Sequence, residues 1–112
     1  MTDPRLLVLI VPRERRDDFV DVLMSWEALS GFTLLPALGF SREHSHFNIP
    51  EQVAGYREFD RFEVLVDAVE LPPLLDRLSV ACGRERLRYW VSWVTAEGHL
   101  PQAPAGAGNP RT

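Results

Sequence analysis

The chain predicts an α+β fold of the ferredoxin-like type, βαββαβ: a four-stranded antiparallel sheet with two helices on one face. Three observations predict it. Apolar residues recur at helical spacing in two segments. Four other segments read as strands, and the order along the chain is strand, helix, strand, strand, helix, strand. The 112 residues, 46% of them hydrophobic and 25% charged, are enough for one core without metal or disulfide staples.

Each element has a local cause. Leu6 to Val11 is a continuous apolar run between Arg5 and Pro12, as in a central strand covered on both faces. In RERRDDFVDVLMSWEAL, Phe19, Val22, Leu23 and Trp26 fall at i, i+3, i+4 and i+7, the stripe of an amphipathic helix. Asp17, Asp18, Asp21 and the neighbouring arginines take its solvent side, and Ser30-Gly31 is expected to close it. Phe32 to Leu38 is the second strand; Pro36 inside it cannot donate to a ladder, so the strand belongs at a sheet edge or carries a bulge. Phe59 to Val69 is the third, with Phe62, Val64 and Val66 alternating against Arg61, Glu63 and Asp67. Leu71 to Cys82 is the second helix, with prolines in its first turn, a stripe of Leu71, Leu74, Leu75, Leu78 and Cys82, and Gly83 as its stop. Leu87 to Thr95, LRYWVSWVT, is the last strand. Leu87, Tyr89, Val91 and Trp93 share one face; Arg88, Trp90, Ser92 and Val94 share the other. Both faces carry aromatics, so one is expected on the helices and the other against a partner chain. Trp26, Trp90 and Trp93 thus read as core and interface residues, not ligand stackers. Residues 1–100 form the domain, and the Pro-, Gly- and Ala-rich stretch 101–112 is expected to be a disordered tail.

Composition excludes several functions. The net charge of −4 argues against a nucleic-acid partner, which needs a basic face. All twelve basic residues are Arg. Schiff-base chemistry and a phosphate-binding lysine are therefore absent, and an anion site would rely on Arg forks or backbone N–H groups. The single cysteine, Cys82, fits a reducing compartment and a buried small side chain. The apolar run near the N-terminus is too short for a signal peptide or a membrane span. The chain reads as a soluble cytoplasmic protein with no direct membrane insertion. It has no G-x-S-x-G elbow and no H-E-x-x-H, and it is not expected to be an enzyme.

The stretch most suggestive of function is Gly39 to Glu58, GFSREHSHFNIPEQVAGYRE, a long polar connection between two strands. Asn48 and Glu51 mark a capped helical turn over Pro50 to Ala54 that Gly55 would stop. His44 and His46 share a face if the segment is extended. With His99, they are the candidate ligands for a transition-metal ion such as Cu, Ni or Zn. The alternative is solvated loop histidines, since a tight site wants three or four converging ligands. Gly39, Gln52, Gly55 and Arg57 are the candidate small-ligand residues: glycines admit backbone N–H groups to an anion, and Arg57 would receive it. Equally, Arg57 would pair with Glu51 or Glu58 and fix the base of the loop, and Gln52 would bond the backbone.

The pieces LLVLIVP, SGF, HSHFNIPEQVAGYR and LRYWVSWVTAEGHL together resemble a PII-like family of unassigned function in the nitrogen-regulatory PII and CutA superfamily, often found beside heavy-metal efflux systems. The resemblance covers Leu6 to Leu100. It implies a homotrimer with sheets packed around the threefold axis, and it puts Gly39 to Glu58 where PII proteins carry the T-loop that touches partners. It further implies an adenine-nucleotide site at the loop base and a membrane transporter or efflux protein as partner. The chain departs from the PII pattern in lacking lysine, on which PII sites rely for nucleotide phosphates and 2-oxoglutarate, and in having Phe40 where relatives carry a further histidine. What the residues and the resemblance together predict is a trimeric regulatory or sensor protein. The alternative is a soluble metal-binding accessory protein for metal resistance using His44 and His46.

Overall fold

In the computed structural model, residues 1–40 and 55–101 are described. Strand β1 spans Pro4–Pro12, a single 3₁₀ turn covers Arg13–Arg15, and helix α1 runs Arg16–Ser25. Strands β2 (Thr33–Gly39) and β3 (Arg57–Asp67) follow. A second 3₁₀ turn, Ala68–Glu70, leads into helix α2 (Leu71–Cys82), and β4 spans Arg88–Trp93. The sheet order is β2-β3-β1-β4 with every pair antiparallel, which is the ferredoxin-like arrangement.

The core lies between one sheet face and both helices. Leu7, Leu9 and Val11 of β1 join Phe62, Val64 and Val66 of β3, and these meet Phe19, Val22 and Leu23 of α1 and Leu74 and Leu78 of α2. Phe62 anchors the cluster, tilted against Phe19 at 6.2 Å and Phe32 at 5.8 Å between ring centroids. The outer strands are β2 and β4, and Pro36 sits on the first of them, where a missing N–H spoils no inner ladder.

Several expectations change. Strand β3 begins at Arg57 and ends at Asp67, so Arg57 and Glu58 belong to the strand and not to the connection, and Val69 belongs to the 3₁₀ turn. Helix α1 stops at Ser25, well before Ser30-Gly31; Trp26 already has an extended backbone (φ −85°, ψ 102°). Its side chain still lies against the core, because the indole Nε1 donates to Glu70 at 3.0 Å. The arginines around the start of α1 are only half in solvent: Arg15 reaches the Ala81 carbonyl at 3.3 Å, and Arg16 grips Asp60. Finally, register puts Tyr89, Val91 and Trp93 on the helix side of the sheet, beside Leu9, Leu7 and Arg5. The helices leave that edge bare, and Trp93 is 79% exposed with the Arg5 guanidinium stacked 3.9 Å from its ring.

Among the described residues, no helix lies over the opposite sheet face. Val8 is nonetheless fully buried there. Its register partners are Glu63 and Trp90 on the two neighbouring strands. Arg61 stands beside Glu63 on β3 and approaches the Trp90 ring to 5.5 Å, so the guanidinium and the indole meet across β1. Leu35 and Trp90 remain partly exposed on this face. No helix among the described residues is long and apolar enough to cross a membrane.

Candidate binding region at the base of the β2–β3 connection

Strands β2 and β3 pair as far as Gly39 opposite Arg57, so the connection between them springs from a closed hairpin base. At this base the Phe59 ring lies across Gly39: a Cβ built on Gly39 would come within 2.2 Å of it. The glycine is there because an aromatic ring needs its space. Gly55 has φ +80°, the left-handed region that glycine adopts without strain, and marks the entry to β3.

Arg57 is the centre of the electrostatics. Its side chain is 16% exposed, lies 5.4 Å from the Phe59 ring, and meets Glu14 at 2.8 Å and Glu85 at 3.6 Å. Glu85 also faces Arg15 at 3.6 Å, and Glu58 is taken by Arg13 at 2.9 Å. The arginine thus fixes the loop base, but through the β1–α1 and α2–β4 turns and not through Glu58. Partial burial pushes the Glu14 carboxyl up; hydrogen bonds from its own backbone N–H and from Arg57 outweigh this, and it settles below the ordinary glutamate value. Burial raises the thiol of Cys82, which packs against the core at the end of α2.

Of the sequence-derived site residues, Gly39 and Arg57 pair here, and Gly55 lies two residues before Arg57. His44, His46 and Gln52, with the turn Pro50 to Ala54, lie outside the described residues, as does the tail from 102 onward. His99 follows β4, whose last residue pairs with Arg5 at the far end of β1, whereas the hairpin base lies beyond Pro12. Within one chain the C-terminal segment therefore starts at the end of the sheet away from Arg57. Among the described residues no three His, Cys, Asp or Glu side chains gather as a metal-holding group.

Glu14, Glu85 and Asp60 escaped the sequence reading. The first two sit in short connections with no pattern around them. Asp60 had a signal: by alternation it shares the face of Phe62, Val64 and Val66. It is fully buried and accepts two hydrogen bonds from the Arg16 fork, at 2.7 and 2.9 Å.

Comparison with known proteins agrees with this architecture. None of the curated proteins matches the chain. Among solved structures, the crystal structure of a DUF3240 family protein from Shewanella baltica OS155 superposes with a TM-score of 0.76 and 39% sequence identity, over 90% of this chain and 100% of that one. The family model described as protein of unknown function (DUF3240) matches residues 1–101, and the chain belongs to that family.

Proposed function

We propose that the protein is a PII-like homotrimeric regulator that acts by binding and not by catalysis. The connection between β2 and β3 receives a small ligand or a metal ion and presents itself to a partner, for which a transport or efflux protein is our choice. The observation that supports this reading is the anchored hairpin base: Gly39 and Arg57 are opposed in register, and Arg57 is held from two other connections. A segment that responds to a ligand needs a rigid platform, so that ordering it is read as a defined change and not lost in the body of the fold. The uncovered sheet face, with Trp90 and Leu35 partly exposed, supports association of the sheets. Without lysine, any phosphate-bearing ligand would be met by arginine and backbone N–H groups.

Calorimetric titration with Cu, Ni, Zn and adenine nucleotides tests this. Nucleotide binding that needs no metal and weakens in Arg57→Ala supports the sensor. Metal binding abolished in the His44→Ala/His46→Ala double variant supports instead an accessory protein that buffers a transition metal. No heat from either class leaves only contact with a protein partner. Light scattering should give three times the chain mass, and a monomer at micromolar concentration would remove the trimer from the proposal.

A further inference from the structure

Among the described residues, four charged side chains at the hairpin base form a chain that the backbone closes into a ring. Glu14 holds Arg57 at 2.8 Å, Arg57 reaches Glu85 at 3.6 Å, Glu85 faces Arg15 at 3.6 Å, and Arg15 is joined to Glu14 through the backbone. Three separate connections contribute: the β1–α1 turn, the start of β3 and the α2–β4 turn. Arg15 adds a hydrogen bond to the Ala81 carbonyl, near the end of α2, so the ring is also pinned to that helix.

We propose that this ring is a conformational clasp coupling the base of the β2–β3 hairpin, where Arg57 pairs with Gly39, to the α2–β4 turn. Arg57 is the shared member, because one planar guanidinium serves two carboxylates from different connections. Displacing Arg57 releases Glu85, and with it the turn that feeds β4. Loosening Glu85 in turn removes one of the contacts that hold the first residue of β3 against Gly39. Coupling of this kind is reciprocal. It requires no particular ligand, so it stands or falls separately from the regulatory reading above.

Hydrogen exchange on the full chain, read by mass spectrometry, tests it without any ligand. The amides of Gly83 and Glu85, which donate to the Val80 and Cys82 carbonyls, report on the turn. The β2–β3 ladder amides near Gly39 report on the hairpin base. In Arg57→Gln the turn amides should exchange about fivefold faster or more, and in Glu85→Gln the hairpin-base amides should do the same. Arg86→Gln, beside Glu85 but outside the ring, should move neither. The double variant Arg57→Gln/Glu85→Gln should exchange no faster than the quicker single one, since either change alone opens the ring. Acceleration confined to the mutated segment, or additive effects in the double variant, overturns the proposal. Should Arg57→Gln fail to fold, Glu14→Gln at the exposed end of the ring is the substitute; it should speed the turn amides in the same sense, and no change at them overturns the clasp.

Discussion

Asp60 is a carboxylate with no exposed surface on the core face of β3, and its only compensation in the described structure is the two-pronged grip of Arg16. Removing one partner of a buried pair is worse than never having had it, because the other loses its counter-charge. Asp60→Ala should therefore lower stability, though by less than the loss of a wholly buried pair, since the Arg16 side chain is 40% exposed and can turn to water. Asp60→Asn, which still accepts from the guanidinium, should lose less; denaturant midpoints of the two variants check the order. Gly39 makes a different kind of demand. Any side chain there collides with Phe59, so Gly39→Val should displace the ring and cost about 1–3 kcal/mol by overpacking. A Gly39→Val/Phe59→Ala double variant should recover part of that loss, and strictly additive losses would show that the clash is not the cause.

At the scale of elements, the strand–helix frame was legible because periodicity and punctuation agree. Leu71 to Cys82 was found to the residue, since prolines at its first turn, a leucine stripe and Gly83 all point the same way. Helix α1 was read too long: Trp26 continues the helical spacing, but its backbone has turned extended and its indole is held by Glu70. A tertiary hydrogen bond of this kind leaves no trace in hydrophobic spacing. The start of α2 shows what a polar side chain adds. Asp67 accepts from the backbone N–H and hydroxyl of Thr2 and from the N–H of Val69, so it caps the 3₁₀ turn while tying down the N-terminus. These bonds, the one from the Thr2 backbone first, hold its carboxyl below the ordinary aspartate value. A depressed folded-state value means stability that is present above the unfolded value and lost as pH falls through the folded one. Urea midpoints should accordingly drop below about pH 4, and Asp67→Ala should flatten that part of the profile.

For the whole molecule, the ferredoxin-like plan could be read from element order alone, whereas the site could be read only as a location. Sequence pointed to the β2–β3 connection through its length and its His-x-His pair, and to Arg57 through its place at the exit. It did not reveal that Glu14 and Glu85, distant from Arg57 along the chain, close on it, because that meeting follows from antiparallel pairing of β1 with both β3 and β4. The core itself is compact enough that Leu74→Ala, at a fully buried position, should cost about 2–5 kcal/mol in a two-state melt. The unequal settings of the tryptophans have a practical consequence. Trp26 is tethered to Glu70, Trp90 lies on the uncovered sheet face, and Trp93 stands almost wholly in solvent beneath a guanidinium. The protein therefore carries its own optical reporters: acrylamide should quench Trp93 emission first, the proposed trimer should shield Trp90, and the Trp26 signal should shift only when the fold is lost. Dilution and denaturation then become spectrally separable events in a single cuvette, without any added label.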